Sequence, residues 1–277
     1  MLRLTITLAT SLLSFILVAQ TPRGALVIIG GGSRPESIIT RIIDEANLRN
    51  GGYGIVLPMS SAEPDSSVYF AVAPFQKAGV SNIVGLNFRK GVPFSPARID
   101  SIRNARLIYI TGGDQNRFME VVAGTEIAMA ILDAYKKGSV VAGTSAGAAV
   151  MCGVMITGNE LRYPTYASTF KTIESNNLET KPGLGLIQNV LIDQHFVRRS
   201  RHNRLLTGVI DFPAMKGIGI DESTAIVVKG NTAEVIGESQ VVVVENPKKS
   251  RLEKNGKLGA KGLVTSIYLA GESFMLK

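Results

Sequence analysis

The chain has one cysteine, Cys152, no tryptophan, and only two histidines, His195 and His202. A lone cysteine excludes an internal disulfide framework and a multi-cysteine zinc site. Two histidines leave few places for histidine chemistry. Aromatic residues are 6% of the total, and no nucleic-acid-binding motif is present. Beyond the first twenty residues no apolar run is long enough to span a bilayer. What is present is a globular composition: 277 residues, 45% hydrophobic and 19% charged, with a mean hydropathy of +0.20. Such values exclude a disordered or collagenous chain. The net charge of +8 leaves nucleic acid, a membrane surface or an acidic substrate open as partners.

Residues 1–19 form a separate object. A short basic start, Met1-Leu2-Arg3, precedes an uncharged run to Ala19 and a polar Thr21-Pro22-Arg23. This pattern predicts a secretory signal peptide cut after Ala19. The uncharged run is short for a membrane anchor. A secreted or periplasmic protein is therefore expected, with no stable membrane association after cleavage. Residues 20–277 contain no internal repeat and no Pro/Gly/Ser-rich linker, so a single α/β hydrolytic domain is expected.

Apolar runs at 25–29, 53–59, 82–86, 107–111 and 139–143 alternate with helical patterns at 35–46, 65–77, 96–104 and 116–137. Ser33 is placed to cap the first helix. Such alternation predicts parallel strands with crossover helices, and strands apolar on both sides predict a sheet covered on both faces. The second half reads as a strand at 190–193, a helix at 199–210 and several strands from 216 to 270. Residues 157–181 read as a long loop, and the basic stretch 248–261 as an exposed turn.

Chemistry concentrates at Gly143-Thr144-Ser145-Ala146-Gly147, which follows a strand and opens an Ala-rich helical start. A G-x-S-x-G turn in that context exposes the serine hydroxyl and leaves the Ala146 N–H at a helix start, where it can stabilise an oxyanion. The serine needs a base. His195 lies just past a strand, where open α/β sheets build their sites. His202 lies among arginines on a helix and reads as solvated. The base needs an acid, and Asp221-Glu222 after the strand at 216–220 offers two. Strand alternation sends one of them toward the site, and the pattern leaves open which. An acid after the histidine departs from the serine, acid, histidine order of α/β-hydrolases.

Thr144-Ser145-Ala146-Gly147-Ala148, Asp193-Gln194-His195-Phe196 with Arg199, Arg201 and Arg204, and Gly217-Ile218-Gly219-Ile220-Asp221-Glu222 resemble the serine-peptidase family that contains the cyanophycinases and dipeptidase E. The resemblance implies a flavodoxin-like, class I glutamine amidotransferase-like three-layer sandwich with a mostly parallel sheet. It implies Ser145 as nucleophile, His195 as base and Glu222 as the orienting acid. Thr111-Gly112-Gly113-Asp114-Gln115 resembles the family's loop beside the serine, so Gly113 would join Ala146 in the oxyanion hole and Gln115 would touch substrate.

The Asp193-Gln194-His195 triplet and the three arginines look like the cyanophycinase version. The expected substrate is then cyanophycin, an aspartate chain with arginine on each side-chain carboxyl, cut to β-Asp-Arg dipeptides. Arg199, Arg201 and Arg204 are the expected carboxylate donors. Asp193, with Gln115 and Gln194, is the expected acceptor for a substrate guanidinium or amine. The alternatives are an aspartyl or isoaspartyl dipeptidase and a non-catalytic binding protein on the same fold. The resemblance allows a homodimer. No nucleic acid, metal or organic cofactor is expected, and Gly30-Gly31-Gly32 reads as a close-packed turn, since it lacks dinucleotide or Walker spacing.

Overall fold

A computed structural model describes residues 22–277; the segment expected to be a signal peptide lies outside the described residues. Five parallel strands form the heart of the main sheet. They are β1 (Leu26–Ile29), β2 (Gly54–Leu57), β3 (Ile83–Gly85), β4 (Leu107–Ile110) and β5 (Val140–Thr144), in spatial order β3-β2-β4-β5-β1. All side chains of β1, β2, β4 and β5 are buried, as expected for strands covered on both faces. On one face lie α1 (Glu36–Glu45) and α2 (Pro64–Lys77), whose Ile38, Ile42 and Phe75 pack on Val27, Val56 and Tyr109. On the other lie α3 (Pro96–Arg103), α4 (Gln115–Val122) and α5 (Glu126–Lys137), packed on Ile28, Ile55 and Ile108.

Local sequence accounts for the ends of these helices. Thr125 caps α5 by accepting from the Ile127 N–H, Glu126 sits in its first turn, Lys136 and Lys137 in its last, and Gly138 stops it with φ +120°. In α1 the expected cap is not made. Pro35 holds the cap position, and the Ser33 hydroxyl bonds instead to the Ser223 hydroxyl at 2.8 Å.

After β5 come the short helix α6 (Ala146–Ala149), β6 (Val154–Glu160) and β7 (Leu178–Pro182). The last two pair as an antiparallel hairpin around an irregular segment. The expected long loop at 157–181 is therefore framed by strands. Its ends pair across a register shift, and only residues 161–177 lack regular structure.

The remaining strands are β8 (Val190–Gln194), β9 (Lys216–Ile220), β10 (Thr224–Lys229), β11 (Thr232–Gly237), β12 (Val241–Glu245), β13 (Leu252–Lys254), β14 (Lys257–Gly259), β15 (Val264–Tyr268) and β16 (Ser273–Met275). β10, β11 and β16 extend the main sheet antiparallel beyond β1. β8, β9, β12 and β15 form a second sheet. One face of this sheet joins the main core through Ile192, Ile218 and Val243. The other is covered by α7 (His202–Asp211) through Leu205 and Val209. The basic stretch at 248–261 is a hairpin, β13-β14, turning at Asn255-Gly256.

Candidate active site

Strands β1, β4, β5, β8 and β9 bring their carboxyl ends together, and each delivers one part of the site. Ser145 stands between β5 and α6 at φ +53°, ψ −110°, outside every region open to an unstrained L-residue. The turn is tight enough to require glycine on both sides. A Cβ on Gly143 would lie 2.4 Å from the Gly147 carbonyl oxygen, and one on Gly147 would lie 2.3 Å from the Ile110 carbonyl oxygen. The turn is held by the Ser145 N–H donating to the Ile29 carbonyl at 3.0 Å.

Ser145 Oγ lies 2.8 Å from His195 Nε2, and His195 Nδ1 lies 2.6 Å from Glu222 Oε1. Of the two carboxylates that the strand pattern leaves open, Glu222 is the one that meets the imidazole. Asp221 points away and accepts from the Arg198 N–H at 2.8 Å and the Ser239 hydroxyl at 2.7 Å. His195 is itself at φ +51°, and its N–H donates to the Gly30 carbonyl at 2.7 Å. Burial pushes the imidazole below its ordinary pKa. The hydrogen bond to Glu222 opposes that shift, and the charges of Arg199 and Arg201 add to it. His202 is exposed at the start of α7, its ring 4.7 Å from that of Phe196.

The three glycines after β1 form a floor for this chain of contacts. A Cβ on Gly31 would strike the His195 ring, and one on Gly32 would meet Glu222 Cβ at 2.8 Å. The triple glycine reads from sequence as a turn, but its contact with the imidazole and carboxylate is visible only in three dimensions.

Gly112 and Gly113 pass over Ser145, with a Cβ on Gly112 falling 3.5 Å from Ser145 Cβ. Gly113 has φ +136° and lies against the Ser60 carbonyl. Ser60 is buried, and its hydroxyl bonds the Thr111 and Gly112 carbonyls at 2.7 and 3.0 Å. Nothing in the sequence marked Ser60 as the prop of this loop. Ala146 opens α6, so its N–H precedes the first intrahelical bond.

On one side of Ser145 is a polar pocket of about 260 Å³ lined by Gln115, Gln194, Arg199, Arg201, Arg204 and Tyr166 among others. Arg204 is 1% exposed. Its Nε donates to Asp193 Oδ2 at 2.8 Å and its Nη2 to Asp193 Oδ1, leaving Nη1 near Gly158 and Gln115. Arg201 is also buried, donates from Nη1 to the Gln194 carbonyl at 2.7 Å, and lies 3.7 Å from Asp193 Oδ1. Burial, and next the charge of Arg204, lower the Arg201 guanidinium to about 10. Gln115 donates its amide to the Ile156 and Thr157 carbonyls, which leaves its oxygen for the pocket. Arg199 is exposed at the rim.

One expectation is corrected here. Asp193 is 0% exposed and does not line the pocket. Its carboxylate is occupied by Arg204 and Arg201, so it is an internal counter-ion and not an acceptor for substrate. The helix expected at 199–210 begins only at His202, so Arg201 and Arg204 are not three apart within it. Arg201 sits at the N-cap position of α7, and both side chains point inward.

On the other side of Ser145 a cleft of about 380 Å³ is lined by Gly31, Arg34, Ser61, Glu63, Ser66, Ser67, Phe70 and His195 among others. A slightly larger cavity of about 410 Å³, beside Asn189, Lys216, Glu245 and Lys249, lies away from Ser145 and includes none of the residues just described. Cys152 is buried in the core, where desolvation pushes its thiol up to about 12, which makes it inert.

A hydroxyl, an imidazole and a carboxylate in hydrogen-bonded sequence, at the carboxyl ends of a largely parallel α/β sheet, define the class of serine-type hydrolases. Residues 26–236 match the model of peptidase family S51, and the chain belongs to that family of serine-type peptidases. It is 30% identical over 232 residues to a cyanophycinase of Nostoc sp., covering 82% of this chain and 75% of that one. It is 33% identical over 209 residues to a cyanophycinase of Geminocystis herdmanii, covering 74% of each. Among solved structures, a peptidase from an acI-B1 Actinobacterium superposes with a TM-score of 0.64 at 21% identity, over 91% of this chain and 96% of that one. A putative Peptidase E protein from Listeria monocytogenes superposes at 0.53 and 17% identity, over 78% and 99%.

Proposed function

We propose that the protein hydrolyses peptide bonds next to aspartyl residues through a Ser145-His195-Glu222 triad, with cyanophycin as its substrate and export directed by residues 1–19. The observation that carries this reading is the unbroken Ser145–His195–Glu222 chain of contacts beside a pocket of arginines. Ser145 Oγ attacks the scissile carbonyl, and its proton passes to His195 Nε2. Glu222 holds the Nδ1 proton, fixing the tautomer and stabilising the imidazolium. The Ala146 and Gly113 N–H groups receive the oxyanion. The C–N bond then breaks, the departing nitrogen takes the proton from Nε2, and water releases the acyl group by the same steps in reverse.

The lowered pKa of His195 suits this role, because it keeps the imidazole neutral and ready to accept a proton near neutral pH. Specificity for aspartyl carboxylates follows from the pocket. Nη1 of Arg204, together with Arg201 and the exposed Arg199, offers guanidinium donors whose planar fork matches a carboxylate. The Gln115 oxygen accepts from a substrate N–H, and the Gln194 amide adds a donor.

The test is mass spectrometry of products after incubation with cyanophycin. β-Asp-Arg dipeptides are expected, and their formation should vanish in Ser145→Ala. Cleavage of short aspartyl or isoaspartyl dipeptides without polymer cleavage would instead establish a dipeptidase. No cleavage of either, with unlabelled Ser145 after fluorophosphonate treatment, would leave a binding protein.

A further inference from the structure

The two cavities that meet at Ser145 differ in which working groups they expose. His195 lines the 380 Å³ cleft and not the arginine pocket, whereas Gly113 and the arginines line the pocket and not the cleft. In acyl transfer the base that takes the serine proton gives it to the departing nitrogen. The departing piece therefore lies where the imidazole is open, and the acyl piece lies where the arginines are.

We propose that the cleft between the Gly31–Arg34 turn and the start of α2 is the leaving-group subsite, with Arg34 and Glu63 as its specificity-determining residues, selecting a departing piece that carries both a carboxylate and a cationic side chain. This rests on the acyl-transfer reading of Ser145 given above.

Arg34 is held from behind. Its Nη2 donates to the Phe70 carbonyl at 2.8 Å and its Nη1 lies 3.5 Å from the Tyr109 hydroxyl. Its Nε is buried without an acceptor. Among the described residues neither Arg34 nor Glu63 makes an ion pair, although Arg41, Arg103, Arg201, Arg204 and Arg251 all do. A guanidinium fixed by neutral carbonyl and phenol oxygens, half-buried and lacking a counter-ion, favours an anion supplied by a ligand. Glu63, exposed on the same cleft, supplies the opposite charge. The Ser61, Ser66 and Ser67 hydroxyls lie among them, and the Phe70 ring, 64% exposed, offers an apolar face for the stem of a long side chain. The two unpaired charges fix the polarity of the occupant: its carboxylate on Arg34, its cation on Glu63.

The experiment is a kinetic comparison on two-unit β-Asp-Arg segments. The departing unit carries free or amidated carboxyl groups, and either arginine or leucine. In the wild type, kcat/KM should favour free carboxyl over amide, and arginine over leucine, by about tenfold each, the worth of one partly exposed charged hydrogen bond. Arg34→Gln should erase the first preference, Arg34→Lys should keep part of it, and Glu63→Gln should erase only the second. Equal loss on all four substrates would reduce Arg34 to a prop of the α2 turn and overturn the assignment, as would absence of either preference in the wild type. If no segment is cleaved at all, the proposed function fails. The subsite is then read by calorimetric binding of L-arginine, which should be about tenfold weaker to Arg34→Gln than to wild type; equal binding overturns it.

Discussion

Replacing Gly31 with alanine tests how the imidazole is held without altering any atom of Ser145, His195 or Glu222. On the existing backbone the added Cβ would lie 2.3 Å from His195 Cε1, 2.6 Å from Nε2 and 2.8 Å from Nδ1. Carbon contacts settle near about 3.5–4 Å, so the ring must retreat by roughly 1 Å or the turn must open. Retreat lengthens the 2.8 Å contact to Ser145. A displacement of that order at reacting groups costs about 10²-fold in rate. The turn resists opening, because the Gly30 carbonyl accepts from the His195 N–H and the Gly31 carbonyl from the Ser223 N–H. Gly31 also has φ +111°, where an L-residue is strained by about 1–3 kcal/mol. The expected result is a kcat roughly a hundredfold down, with a melting temperature lowered by several degrees. The assay is steady-state hydrolysis of an aspartyl substrate, paired with circular dichroism melts to exclude unfolding at the assay temperature. A Gly31→Ala protein with wild-type kcat would refute the idea that a bare glycine face positions the base.

Ser145→Ala and His195→Ala should each abolish most turnover, and the double variant should be little worse than either, because they act as a unit; additive losses in single-turnover rates would contradict that. Catalysis by neutral His195 should give a kcat/KM that is flat above the ordinary value of 6.5 and falls only below it. Glu222→Gln removes a contact that raises the imidazole pKa, so the acid limb should move to still lower pH while the plateau drops by up to about 10⁴-fold. The same shift bears on stability. The unfolded histidine binds its proton at a higher pH than the folded one, so this contribution is present above 6.5 and is lost as pH falls toward the folded value. Denaturant titrations of wild type and His195→Gln across that range measure it. Asp193→Asn should cost about 3–5 kcal/mol in chemical denaturation, because it leaves buried guanidinium groups without their counter-ion; a loss confined to substrate affinity would restore Asp193 to the substrate.

The parallel half of the fold is legible because each of its strands is a short apolar run closed by glycine or a polar turn, and each helix carries its own periodicity. Ser145 is legible for a related reason: only small residues fit the turn, so Gly143 and Gly147 mark it in the sequence. The parts that are not legible depend on distant partners. β6 and β7 are mixed in polarity, and they become a hairpin only by pairing with each other. The β13-β14 hairpin did carry a local signal, Asn255-Gly256 between short runs, where both residues adopt positive φ. What no local pattern could show is that this hairpin backs the irregular segment, through the Glu174–Lys257 ion pair and the Ser175 hydroxyl donating to Glu253 at 2.9 Å. The stretches that read from sequence as a long loop and an exposed turn support each other next to the arginine pocket.

The same limit explains Asp193 and gives it a different purpose. The sequence pattern presents Arg201 and Arg204 as donors to substrate and Asp193, beside the base, as an acceptor for it, and nothing local shows that the three bind one another. Yet Arg201, Arg204 and Asp193 are all nearly devoid of solvent. Two guanidinium groups cannot be desolvated side by side without an anion, since the penalty for burying each unpaired charge is several kcal/mol. One carboxylate holding two arginines solves this only in part, and the part left over is useful. Asp193 occupies Nε and Nη2 of Arg204, which fixes the plane of the guanidinium and turns Nη1 toward the pocket. Two cations against one anion leave the pocket positive before substrate arrives. On the proposed function, a substrate carboxylate meets donors already oriented, so less of its binding energy is lost in ordering them. On that proposal Asp193 positions Arg204 from behind, and because its direct contacts are internal its loss should appear first as instability.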